Sequence, residues 1–428
     1  MSFGRKNRIL GTTALVASPL LVAAALAVPA LGDPAVSYFA RHRTVAAGER
    51  VPSGYEVRGV HLGGFTLYPS LDAALTSNNN IYYDDTNKVS ATVASLDPAF
   101  RLNSNWGRHA LSASLTANYD GYSGRSSENT LAWDAAAGGR LDFGAFSNVN
   151  AGADFAHNYE PRFDPASPRN SAKPIQYDMT TARLGTVVEF NRVRLTGTLD
   201  YQKLDYANGR DASGNLLLQD QRDYTRTGYT ARADYALSPL VSLFATYGHN
   251  QREYRISTLN RDSHGYTAAL GASFDLTDLM NGEIQYGYLE QTYKNPAFKP
   301  SKGGTLKARL SWYPTRLTTV TVTSNREVGE TPDVAASGIL TTNSGIEVNH
   351  ELLRTLVLTG SYGHIDDRYN GVDRRDSRNT IGVKGTYLLS PTVAIKAGYT
   401  HSDLTSHGAA AIHPYKDDAV TVAVSLKY

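Results

Sequence analysis

The sequence predicts an all-β fold, a transmembrane antiparallel up-and-down β-barrel of about 18 strands of the outer-membrane type. Three observations predict it. Apolar and polar residues alternate with a period of two along 65–428, short and long connectors succeed one another, and aromatic residues gather near strand ends.

The alternation is plainest at the carboxyl end. Val420, Val422, Val424, Leu426 and Tyr428 share one face, and Thr421, Ala423, Ser425 and Lys427 share the other. Successive side chains on a strand point to opposite faces, so the pattern is not helical. A soluble sandwich would alternate in the same way, which leaves the decision to the connectors. Tight turns are predicted at 191–193, 238–240, 314–316, 352–354 and 390–392, and long polar loops at 157–176, 205–223, 326–341, 366–378 and 402–417. Short periplasmic turns facing long outer loops mark bacterial barrels, whereas Greek-key sandwiches do not sort their loops this way.

The 27 Tyr residues add the third observation. Tyr119, Tyr201, Tyr235, Phe143, Phe190, Phe274, Trp312, Tyr387 and Tyr428 fall on the apolar phase near strand ends, as two interfacial belts require.

Taken in order, the first strand covers 65–75, with Phe65, Leu67, Leu71, Ala73 and Leu75 facing lipid. The next two cover 92–102 and 110–120. Strands follow at 129–143, 148–159, 177–190, 194–205, 224–237, 241–252, 264–276, 282–293, 304–313, 318–326, 341–350, 355–365, 379–389, 393–401 and 418–428. An even count places both barrel ends in the periplasm.

Before the barrel, Arg5, Lys6 and Arg8 precede an apolar run over 9–27 that closes on Val28, Pro29 and Ala30. Residues 1–30 therefore read as a signal peptide, with an uncleaved helical anchor as the alternative. Residues 31–64 form a periplasmic lead carrying Arg41, Arg43, Arg50 and Arg58, and 65–428 form the barrel. This arrangement assigns the chain to the bacterial outer membrane, with lipid as a partner. The absence of Cys removes disulfides and thiolate chemistry, and a net charge of +2 without basic clusters gives no nucleic-acid signal.

Barrel size leads from fold to function. About eight strands fill their own interior, while sixteen to eighteen leave a water-filled lumen. On the polar phase the lining comprises Asp97, Arg101, Asp134, Arg140, Asp154, Arg183, Glu189, Arg194, Asp200, Arg226, Arg232, Asp234, Asp275, Glu283, Lys307, Arg309, Glu347, Lys384 and Lys396. Mixed signs suit large, hydrated, weakly charged solutes, although the same charges could simply pair along the wall. Inward aromatics are few, Tyr68 and Phe244 being the main candidates, so a stacking slide for sugars is not expected.

No catalytic residues are assigned. The sequence has no nucleophile elbow, Walker loop or H-E-x-x-H motif, and His157 and His249 fall on the outward phase. Asp366, Asp367, Asn370, Asp373 and Asp376 lack EF-hand spacing and read as a solvated loop tip, so neither a metal nor another cofactor is expected. Glu290 is a polar residue on the lipid phase, a faint mark of a protomer interface.

Gly64, Phe65, Pro69, Ser70 and Leu71 follow a lead containing Arg50, Pro52, Gly54 and Tyr55. This opening resembles that of the outer-membrane β-barrel porins found with proteobacterial exopolysaccharide and capsule secretion systems. Tyr428 similarly resembles the closing-strand signal for membrane insertion, which implies the barrel assembly machinery as a partner. The resemblance implies a conduit for a secreted polysaccharide, docked on a periplasmic polysaccharide-export protein, with energy supplied at the inner membrane. A general diffusion porin for small hydrophilic solutes is the alternative, and an outer-membrane hydrolase a third. The lead could instead fold into the lumen as a gate, and the outer loops could restrict the exit.

Overall fold

Phe39 and residues 45–165, 167–276, 279–329, 331 and 336–428 are described by a computed structural model, in which the chain forms a closed antiparallel barrel of 18 strands. They are β1 Phe65–Asn78, β2 Ala91–Ser104, β3 Ala110–Tyr122, β4 Thr130–Phe143, β5 Ser147–Tyr159 and β6 Gln176–Phe190. Next come β7 Val193–Tyr206, β8 Tyr224–Ala236, β9 Val241–Tyr254, β10 Ser263–Leu276, β11 Met280–Tyr293 and β12 Ser301–Thr315. The circuit ends with β13 Thr318–Gly329, β14 Gly338–Leu353, β15 Leu356–Asn370, β16 Arg375–Leu388, β17 Val393–His407 and β18 Tyr415–Lys427. Each strand pairs with the next, and β1 pairs with β18 from Ser70↔Lys427 to Asn78↔Ala419. Closure removes the unpaired edge that an open sheet would present to lipid. Among the described residues no helix is long and apolar enough to cross a membrane.

The apolar phase faces out. Leu270 is 71% exposed, Tyr286 67% and Phe190 62%, an exposure that water would penalise along the whole wall and lipid does not. Tyr119, Tyr201, Tyr235, Phe143, Trp312, Tyr387 and Tyr428 are likewise exposed on this face, with Phe274 half-buried. Two prolines mark gaps in the ladder. The strand β1 pairs with a short ribbon, Val60–Leu62, up to Leu67 and with β18 only from Ser70, so Pro69 sits where the partner changes. Its carbonyl accepts the Tyr428 N–H at 3.1 Å. Pro98 interrupts the β2–β3 register between Leu96↔Tyr119 and Ala99↔Thr116, as a residue without an N–H must.

Three predicted loops prove to be largely strand. β13 continues to Gly329, β15 to Asn370 and β17 to His407, while β14, β16 and β18 begin earlier than expected. In these stretches both faces are polar, as in Asp366 to Arg368 and Arg375 to Arg378, so alternation vanishes while the backbone ladder continues. Pro314 also belongs to a strand, at a register shift between Trp312 and Thr315. The expected signal peptide over 1–30 lies outside the described residues.

Candidate functional site

The polar phase of all eighteen strands faces a bore. Arg183, Lys307 and Arg309 are exposed there although they point inward, so at mid-height the lumen is open to water. Charges pair along the wall. Arg183 meets Asp200 at 2.6 Å, Lys396 meets Asp72 at 2.9 Å, and Arg140 meets Asp142 at 2.8 Å. Arg232 binds both Asp234 and Glu283 while lying 3.6 Å above the Phe244 ring. Asp154 accepts the Thr181 hydroxyl, and Arg194 faces Glu189 at 3.6 Å. Asp97 accepts from Asn118, and Glu347 from Asn349 at 2.7 Å. Arg101, Asp134, Arg226, Asp275 and Lys384 occupy the same inward phase, facing the registers of Tyr68, Thr116, Arg252, Asn281 and Thr359.

Both ends of this bore are covered. At the outer end the connector 160–175 leaves β5 and extends over the tops of β4 to β1 as far as β18. Phe163 meets Tyr83 of the β1–β2 connector edge-on at 5.2 Å, Tyr83 meets Tyr415 of β18 at 5.0 Å, and Arg169 donates to the His413 carbonyl at 3.0 Å. Arg162 grips Glu128 of the β3–β4 connector at 2.8 Å. Glu160 is paired with Arg222 of the β7–β8 connector, and both side chains are more than nine-tenths buried. Burial alone would lower the Arg222 pKa, but the hydrogen bond and charge of the Glu160 carboxylate more than reverse this, so Arg222 stays charged. On the other side Arg261 donates to the carbonyl of Thr331.

Beneath these connectors lies an inward-facing apolar cluster of Ala156, Met179, Leu204, Tyr224 and Tyr254, flanked by Tyr177 and Tyr206. Tyr293 and Tyr415 are also inward and buried. The expectation of few inward aromatics is therefore corrected. These tyrosines sit at the outer strand ends on the same phase as Arg226 and Arg252, and counting phase through to the strand ends finds them. Their burial, 4% exposure for Tyr415 and 7% for Tyr254, makes them supports for the connectors and not a free track.

At the inner end the lead crosses the mouth. Phe39 lies under the Arg194 guanidinium of β7, 4.3 Å from it, and is buried. The turn Ala47–Glu49 rests on β13 and β14, where the Ala47 N–H donates to Thr319 Oγ1 at 2.9 Å. Arg50 reaches Glu351 at 3.4 Å. Gly59, with φ of +68°, then packs against Thr66 and Tyr68 beside the Val60–Leu62 ribbon. From Ala47 on β13 to Gly59 beside β1, the described part of the lead passes over the inner end of the barrel.

The other expected features are placed as follows. His157 and His249 lie on the outer face, His157 against Asp178 at 2.7 Å and His249 stacked on Tyr229 at 5.3 Å. Glu290, outward as expected, lies 3.4 Å from the Tyr266 hydroxyl. The supposed acidic loop tip is a strand pair whose carboxylates are held by arginines: Asp366 by Arg368 and Arg375, Asp367 by Arg378, and Asp376 by Arg374. Among the described residues no group of three His, Cys, Asp or Glu side chains could hold a metal ion. Gly64 packs on Trp106, whose ring meets Phe65 edge-on at 5.6 Å.

Residues 52–428 match the family model described as "Putative beta-barrel porin 2". The chain belongs to this porin family. The porin sits in the bacterial outer membrane as a channel-forming barrel. It is similar to Pseudomonas aeruginosa OpdL at 15% identity, covering 86% of this chain and 99% of that one, with a TM-score of 0.45. Pseudomonas aeruginosa OccK2 (OpdF) shares 13% identity over 84% and 98% of the two chains, with a TM-score of 0.47. The FrpB iron transporter from Neisseria meningitidis shares 9% identity over 86% and 82%, with a TM-score of 0.45. No curated protein matches the porin in sequence.

Proposed function

We propose that this porin is a non-enzymatic, passive channel for small hydrophilic solutes. One observation carries the reading: the bore is open and charged at mid-height, but connectors packed on buried tyrosines cover its outer mouth and the lead crosses its inner one. A polymer threaded through the bore would have to keep both mouths displaced at the same time, whereas a small solute meets them one after the other. Fixed charges of both signs on the wall favour water-soluble cargo over lipid. The polysaccharide conduit, with its periplasmic export partner, rests on the opening-strand resemblance alone.

Liposome swelling with purified protein tests the reading. Pentoses and hexoses should enter at rates falling with size. Failure of any such sugar to enter, together with loss of secreted polysaccharide on gene deletion, would replace this reading with the conduit.

A further inference from the structure

The outer ends of β13 to β16 carry an uneven charge on the face turned away from the bore. Arg326 of β13 pairs in register with Thr342 of β14, and Thr342 with Asp366 of β15, all on the outward phase of Val322 and Ile346. At the next outward position of β15, Arg368 stands opposite Arg375 of β16. Both arginines hold Asp366 through Nε, at 3.0 and 2.5 Å, and their side chains stay more than half exposed. The Nε of Arg326 is buried and makes no hydrogen bond among the described residues. Three guanidinium groups thus share one carboxylate. The neighbouring acids are engaged elsewhere: Glu327 faces the bore, where it acts on Arg226, and Asp403 accepts from the Asn379 amide at 3.1 Å. In other sectors of the outer rim outward bases are matched, Lys203 by Asp205, Arg255 by Asp223 and Lys294 by Asp262. Below the arginines, Val322, Ile346, Tyr362 and Ile381 form one exposed row across the same four strands.

We infer that this sector of the outer rim seats the phosphate of a phosphorylated lipid of the outer leaflet, whose acyl chains lie along the apolar row beneath it. Two strand spacings, roughly 10 Å, separate Arg326 from Asp366, a gap that a phosphate held between long side chains can bridge. A phosphate takes the planar fork of a guanidinium in bidentate fashion, and Thr342 between the arginines adds a hydroxyl. Asp366 keeps Arg368 and Arg375 in place but offsets only one of the three positive charges. The sector sits where the wall passes from apolar to polar, which is the depth of a lipid head group. It lies on the outer wall and stands apart from whatever crosses the bore.

Diphosphoryl lipid A is a suitable probe, with the same lipid stripped of its phosphates as the counterpart. Titrated into folded protein in detergent and followed by native mass spectrometry, the phosphorylated lipid should bind and the stripped one should not. Arg326→Gln combined with Arg368→Gln should weaken binding roughly tenfold. The paired Lys substitutions, which keep the charge and lose the fork, should give an intermediate loss. Lys203→Gln combined with Lys294→Gln removes the same charge from another sector and should leave binding unchanged. Equal binding of the two lipids, unchanged binding in the Arg326 and Arg368 variant, or an equal loss in the Lys203 and Lys294 variant overturns the seat. Displacement of the lipid by inorganic phosphate at equal concentration would mark a site for free anions and also overturns it. If the double Gln variant does not fold, Thr342→Asp serves instead: a carboxylate set between the arginines should abolish binding, and retained binding overturns the seat.

Discussion

Glu160→Ala should open the outer mouth without unfolding the barrel. Glu160 holds Arg222 through two contacts, one to Nη1 at 3.1 Å and one to Nη2, and Arg222 also lies 4.0 Å over the Tyr206 ring. Both charged groups are buried, so removing the carboxylate leaves a guanidinium without its counter-charge. Such a loss costs about 3–5 kcal/mol. The cost falls on the closed arrangement of the β7–β8 connector, because swinging Arg222 into water recovers its hydration while every barrel ladder bond is kept. At about 1.4 kcal/mol per decade, the balance shifts toward an open connector by roughly a hundred- to a few-thousand-fold. Single-channel conductance and the size limit for sugars should rise, residues 207–223 should become protease-sensitive, and Glu160→Gln should fall between parent and Ala. Parental conductance together with parental protease resistance in a correctly folded Glu160→Ala barrel would refute the clamp.

Three further outcomes are expected. In Gly48→Val the new Cβ would meet the Asn349 side chain at 3.0 Å, so the lead should lift from β14 and conductance should rise by roughly twofold, following the open cross-section. Unchanged single-channel current would show that the lead does not narrow the inner mouth. Leu270→Arg, at a position 71% exposed on the outer face, should cost about 2–4 kcal/mol in urea titrations in vesicles, while the inward Thr230→Arg should cost little. Equal costs would mean that the lipid-facing phase is wrong. Gly287→Ala would drive its Cβ into the Ala268 carbonyl and should destabilise by about 1–3 kcal/mol, whereas Gly363→Ala, with nothing within 4 Å, should be neutral in the same titration.

The strands were legible because lipid on one side and water on the other impose a period of two. The expected ranges for the strands from 65–75 to 282–293 fall within two or three residues of the observed ends. Error concentrates at the outer ends of β13 to β18, where the wall rises clear of lipid and no solvent difference writes a pattern. The inward phase of Arg226 and its companions was legible for the same reason, whereas their pairing was not. Arg183 meets Asp200 only through the register of its hairpin, and Lys396 meets Asp72 only because closure brings β1 beside β18.

What the sequence determined by itself is the barrel, its approximate strand number and the two faces of its wall, since each follows from local alternation that a bilayer enforces residue by residue. Only tertiary structure decided how the bore is covered. The Glu160–Arg222 clamp, the meeting of Tyr83 with Phe163 and Tyr415, and the seat of Phe39 on Arg194 join residues far apart in the chain. Those contacts depend on where a closed ring of eighteen strands brings its connectors together, a distance that no local pattern encodes.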